Sequence, residues 1–238
     1  MRNRLPRPIR AIKRFTPRAQ QRSAPSMTET LVKICGISTP EPLAACIKAH
    51  AEWVGFNFFP PSPRFLSSVT AAQLAAQAGT AIRRAGVFVD ADDAAIAEAV
   101  QAGRLDAIQL HGHESPERAA QVRQRFGLPV WKVLSVSVVE DVARASTYSE
   151  VADFLLFDAK TPKGQLPGGM GLAFDWGLLA AYRGPLPWGL AGGLTAANVA
   201  EAIRLTGAPL VDTSSGVERS PGIKDVDKIA AFCKAARL

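Results

Sequence analysis

Three side chains and two glycine-rich turns stand out in this 238-residue chain as groups able to do chemistry. Cys35, followed at once by Gly36, closes an apolar run at residues 31–35. A strand-end thiol can act as a base or nucleophile if its pKa is lowered. It can equally be a small buried hydrophobe, the reading that suits Cys46 and Cys233 inside helical segments. Asp158 directly follows the apolar run 154–157, where a carboxylate serves either as a turn cap or as a general acid. His111 follows the run 107–110 and admits three roles: core histidine, substrate contact or acid/base. Only His113 lies nearby and no third ligand accompanies the two, so no metal site is expected. Gly192 and Gly193 sit between the run 188–191 and a helix-start signal at Thr195. A glycine pair lets backbone approach an anion closely, and a helix start directs N–H groups at it. Ser214, Ser215 and Gly216, just after the run 210–212, offer more N–H and hydroxyl donors. Two ordinary turns would look the same one at a time; together they read as a phosphate cradle.

These groups need a frame that brings strand ends together. Eight short runs rich in Val, Ile and Phe recur at 31–35, 53–58, 84–89, 107–110, 130–134, 154–157, 188–191 and 210–212. They are apolar nearly throughout, as buried parallel strands are. Ala-rich segments with helical spacing separate them at 42–50, 71–76, 94–102, 116–126, 196–205 and 225–236, with shorter ones near 138–145 and 174–181. Start signals stand at Thr39, Thr70, Asp92 or Asp93, Ser115 and Thr195. Repeated strand–helix units imply a parallel sheet with right-handed crossovers. Eight of them predict a compact single-domain (β/α)8 TIM barrel, with an open doubly wound α/β sheet as the alternative. No GxGxxG follows the first run, which disfavours a dinucleotide fold. In a barrel the active site lies at the carboxyl ends of the strands. Polar or glycine residues follow every run: Cys35, Asn57, Asp90, His111, Ser135, Asp158, Gly192 and Asp212.

The net charge of +7 and pI near 9.7 would by themselves suggest a nucleic acid or membrane partner. Arg2, Arg4, Arg7, Arg10, Lys13, Arg14, Arg18 and Arg22 account for that charge, with no acid among residues 1–26. From Met27 onward the chain is nearly neutral, at −1. Neither nucleic acid nor membrane is therefore expected as a partner. The segment 1–26 contains Pro6, Pro8, Pro17 and Pro25 and is not expected to form a helix. Three readings stay open for it: a mis-assigned start ahead of Met27, a disordered basic extension, or an organellar transit peptide. The expected catalytic domain is 27–238. No apolar stretch is long enough to span a membrane, and three cysteines without CxxC spacing fit a reducing, cytoplasmic setting.

Several motifs then resemble one family in order. Val32-Lys33-Ile34-Cys35-Gly36-Ile37 is similar to the opening signature of phosphoribosylanthranilate isomerases. Gly55-Phe56-Asn57-Phe58 with Ser62-Pro63-Arg64, Gly86-Val87-Phe88-Val89, Gln109-Leu110-His111-Gly112 and Phe157-Asp158-Ala159 follow. The series continues with Gly168-Gly169-Met170-Gly171, Ala191-Gly192-Gly193-Leu194, Asp212-Thr213-Ser214-Ser215-Gly216-Val217-Glu218 and Pro221-Gly222-Ile223-Lys224-Asp225. The resemblance spans about residues 30 to 236. It implies a cofactor-free barrel of tryptophan biosynthesis that rearranges N-(5-phosphoribosyl)anthranilate, an aminoaldose, to an aminoketose. By the same resemblance Cys35 is the general base and Asp158 the general acid. Arg64 faces the anthranilate carboxylate, His111 and Asp212 contact substrate, and Gly192, Gly193, Ser214 and Ser215 hold the phosphate. Such chemistry asks for a thiol lowered from about 8.5 and a carboxyl raised from about 3.9. Met170 departs from the family's usual hydroxyl residue in the sixth loop, and the implied assembly is a monomer or a homodimer.

Overall fold

The structure, a computed structural model, describes residues 30–159 and 174–238. The segment 1–26 and the sixth loop with Met170 lie outside the described residues. Eight parallel strands close into a barrel in the order β1 to β8: β1 (Leu31–Cys35), β2 (Trp53–Asn57), β3 (Arg83–Phe88), β4 (Ala107–Leu110), β5 (Val130–Val136), β6 (Phe154–Ala159), β7 (Trp188–Leu190) and β8 (Leu210–Thr213). The barrel, not the open sheet, is the fold.

The helices are α1 (Pro40–Lys48), α2 (Ser68–Ala78), α3 (Asp93–Gly103), α4 (Pro116–Phe126), α5 (Val139–Ala143), α6 (Val199–Thr206) and α7 (Val226–Ala235). Among the described residues between β6 and β7, a 3-10 turn, Trp176–Ala181, stands where the helical segment near 174–181 was expected. Ser115 and Asp92 cap α4 and α3 through N–H groups of Arg118 and Ala95, as expected. Two starts shift. Thr70 lies inside α2, and Ser67 is the cap that accepts from the Thr70 N–H. Thr195 does not open α6; its N–H is taken by Asn198 Oδ1 at 2.7 Å, and the helix begins at Val199. The side chain three residues away from each predicted start won the backbone donor.

Alternation along the strands builds two cores. Val32, Ile34, Val54, Phe56, Ile108, Leu155 and Phe157 face outward against the helices. Trp53, Ala85, Ala107, Trp131, Val133, Leu156, Ala191 and Leu210 fill the lumen. Large rings occupy its lower end, with Trp53 and Trp131 centroids 4.6 Å apart and Trp131 to Phe154 4.5 Å. Arg83 covers that end, its guanidinium 4.4 Å from the Trp53 ring centre. With the amino end of the lumen sealed by aromatic area, polar inward positions gather at the carboxyl end.

A short hairpin follows β8, formed by β9 (Glu218–Ser220) and β10 (Ile223–Lys224). Gly222 makes its turn at φ +82°, where a Cβ would press on the Pro63 carbonyl at 2.5 Å. The hairpin therefore packs directly on the loop carrying Arg64.

Candidate active site

The mouth of the barrel is built from inward-facing positions of β1, β4, β6 and β8. Lys33 and Cys35 lie two apart on β1 and so share the inward face. The β1–β8 register sets Lys33 beside Asp212, and Lys33 Nζ donates to Asp212 Oδ2 at 2.8 Å. Asp212 is close enough to feel the charges of Asp158 and His111, and Cys35 that of Asp212. His111 Nε2 lies 3.4 Å from Asp158 Oδ2, while Asp158 Oδ1 accepts from the Ala159 N–H at 2.8 Å. The thiol and the Asp158 carboxyl thus both lie within reach of the Asp212 charge, on strands separated only by β7 and β8. Cys35 is half-buried and Asp158 is 7% exposed.

Glycines make the approach possible. A Cβ on Gly55 would stand 2.6 Å from Cys35 Sγ, so only a bare Cα beside the thiol leaves it room. Gly36 has φ +76°, and a Cβ there would meet Arg64 Cδ at 2.5 Å. Gly192, at φ +88°, lies against Ala159 and Asp158; its Cβ would stand 3.0 Å from Asp158 Oδ1.

On the β2 and β8 side, Arg64 gives a two-pronged hydrogen bond to Glu218, Nε to Oε1 at 2.7 Å and Nη2 to Oε2 at 2.8 Å. Lys224 Nζ shares Glu218 Oε1 at 2.7 Å and reaches Ser214 O at 2.9 Å and Ser214 Oγ at 3.1 Å. Ser214 Oγ in turn donates to the Cys35 carbonyl at 3.1 Å. The loops after β7 and β8 are locked together by Thr213 Oγ1 donating to the Leu194 carbonyl at 2.7 Å. Gly216 packs so tightly on that carbonyl that any Cβ would collide with it. Gly193 follows Gly192 at φ +65°, and its carbonyl accepts from Asn198 Nδ2 at 3.0 Å.

Burial pushes the Cys35 thiol above its ordinary value; the Lys33 and Lys224 ammonium groups oppose this, and Asp212 adds to it. This corrects the expectation of a lowered thiol. The lumen removes water from the sulfur, and each nearby cation is already matched by a carboxylate. Burial also raises Asp212, against the pull of Lys33. Glu218 falls below the usual glutamate range: burial pushes it up, but the Arg64 hydrogen bond and the Lys224 charge outweigh that.

Other strand-end residues serve the loops. Asn57 Oδ1 accepts from the Phe59 N–H, and its amide donates to Ser62 Oγ at 3.1 Å. Asp90 turns to His113, accepting its N–H at 2.6 Å. Four mouth residues escaped the sequence reading of the site: Lys33, Gln109, Glu218 and Lys224. Gln109 is buried with its Nε2 3.5 Å from His111 Nδ1. For Lys33 and Gln109 the available signal was a charged or amide side chain inside an apolar strand; Glu218 and Lys224, in a short polar segment, gave none.

Comparison with known proteins places the fold and the family. Residues 32–235 match the family described as N-(5'-phosphoribosyl)anthranilate (PRA) isomerase. An N-(5'-phosphoribosyl)anthranilate isomerase of Paramagnetospirillum magneticum is 55% identical over 207 residues, covering 87% of this chain and 96% of the relative. The crystal structure of a phosphoribosyl anthranilate isomerase from Thermotoga maritima superposes with a TM-score of 0.78 at 37% identity, over 87% of this chain and 98% of that one. A second isomerase structure, in complex with reduced 1-(o-carboxyphenylamino)-1-deoxyribulose 5-phosphate, gives a TM-score of 0.76 at 35% identity, with the same coverage. The chain belongs to the phosphoribosylanthranilate isomerase family.

Proposed function

We propose that Cys35 and Asp158 are the base and the acid of this isomerase of tryptophan biosynthesis. The observation that supports the assignment is that both sit at inward-facing strand ends within reach of the Asp212 charge, above a sealed aromatic floor. Asp158 gives a proton to the ring oxygen of the aminoaldose as the C1–O bond breaks, leaving a protonated Schiff base. The thiolate of Cys35 takes the proton from C2, and the electron pair of that C–H bond forms an enolamine. Tautomerisation moves the C2 hydroxyl proton to C1 and leaves the ketone. General acid–base terms of this kind are worth about 10²–10⁴-fold each.

The remaining roles follow the charge of the substrate. The Gly192, Gly193, Ser214 and Ser215 turns hold the phosphate: two loops locked to each other and free of Cβ atoms at the glycines are suited to an anion. Because α6 begins at Val199, the glycine turn itself, more than a helix end, faces the anion. Arg64, held by Glu218 above Gly36, is assigned to the anthranilate carboxylate. His111 and Asp212 contact the sugar.

The test is turnover of Cys35→Ser in the full chain. Turnover should fall by about 10²-fold or more with a modest change in KM. Retention of more than about a tenth of wild-type turnover, against that expectation, removes Cys35 as the base.

A further inference from the structure

One inward residue has no part in the roles above. Lys33 is 0% exposed, and its side chain is among the largest fully buried ones. Its backbone is already paired to β8 by the strand ladder, and a buried ion pair is weak evidence for a stabilising role. An ammonium has three protons to donate, and Asp212 Oδ2 takes one of them. The same ammonium stands two residues from the Cys35 thiol on the inward face of β1, and its charge favours the thiolate. The other nearby cation, Lys224, is spread over three acceptors, Glu218 Oε1, Ser214 O and Ser214 Oγ. Asp212 Oδ1 is buried without a hydrogen-bond partner among the described residues.

We propose that Lys33 is the positioning residue that stabilises the thiolate of Cys35, and that Asp212, sharing the same ammonium, limits how far. The inference rests on the reading of Cys35 as the base. A sulfur anion inside the barrel needs a cation that does not depend on bound substrate. Lys33 supplies it from two residues away on the same strand face. Asp212 competes for that cation and adds a like charge, so removing either partner shifts the thiol in opposite directions.

The measurement is the pH dependence of iodoacetamide alkylation of Cys35 in the substrate-free full chain, located by mass spectrometry. Burial also raises the thiols of Cys46 and Cys233, and peptide mapping keeps any adduct on them apart from that on Cys35. Lys33→Met should slow alkylation at pH 8 by about tenfold or more, since one pKa unit is tenfold in thiolate, and Lys33→Arg should restore most of the rate. Asp212→Asn should accelerate it. An unchanged rate in either Lys33→Met or Asp212→Asn, or shifts of the same sign in both, overturns the proposal. Should Lys33→Met fail to fold, Asp212→Asn decides: faster alkylation upholds it, an equal or slower rate overturns it. Full turnover in Cys35→Ser would refute the base itself while leaving these shifts intact, so the two failures are distinguishable.

Discussion

At the scale of single residues, the site is a set of matched charges around one neutral thiol. Lys33 faces Asp212, and Arg64 and Lys224 face Glu218, all within the mouth of the barrel. Adding a negative sulfur upsets that balance, which is why burial leaves the thiol high in the substrate-free protein. Alkylation of wild-type Cys35 should therefore climb by about tenfold per pH unit between pH 7 and 9; a plateau reached below pH 8 would contradict the raised thiol. Asp158→Asn keeps the shape of the side chain and removes its proton, so turnover should drop by about 10²–10⁴-fold while substrate affinity changes little. Wild-type turnover would take Asp158 out of the chemistry. Cys35, Asp158 and His111 were legible in the sequence because each breaks an apolar run at its end. Lys33 and Gln109 were not, because they lie inside such runs. A strand that is buried on both faces hides which of its residues point into the lumen until the register is known.

At the scale of elements, the loops matter through what they leave out. Ala at position 55 would put a methyl group 2.6 Å from the Cys35 sulfur. Gly55→Ala should thus reduce turnover by an order of magnitude or more while melting within a few degrees of wild type; unchanged turnover would show that the thiol has slack. The hairpin after β8 does a second job by carrying Glu218 and Lys224 to the mouth. Glu218→Gln leaves Arg64 and Lys224 without their carboxylate, a loss on the order of 3 kcal/mol, or roughly 6–12 °C in Tm at neutral pH. The folded pKa of Glu218 is depressed, so its contribution is complete above the ordinary glutamate range and disappears as pH falls through the folded value. The Tm gap between wild type and variant should accordingly close in acid; a gap independent of pH would mean that packing, not charge, holds the hairpin. The strands, most helices and the barrel closure were readable from apolar runs and capping residues. The hairpin was not, since Glu218–Ser220 and Ile223–Lys224 are too short and too polar to form a hydrophobic pattern. The start of α6 also escaped, because Asn198 captures the Thr195 N–H and opens a turn before the helix.

At the scale of the whole molecule, polarity is sorted along the barrel axis. Aromatic rings close the amino end and charged groups collect at the carboxyl end. The basic character of the chain resides in residues 1–26, apart from a nearly neutral remainder. A protein starting at Met27 should keep full isomerase activity in complementation of a tryptophan auxotroph lacking this step; failure despite a folded product would tie the extension to catalysis. In the proposed reaction Cys35 and Asp158 address the same sugar while the last two turns hold its phosphate. A crystal structure with the reduced aminoketose phosphate tests it directly. Cys35 Sγ should lie about 3–3.5 Å from C2, Asp158 on the oxygen that was in the ring, and phosphate against Gly192, Gly193, Ser214 and Ser215. A ligand seated with its phosphate elsewhere, or with either side chain out of reach of the sugar, would contradict it.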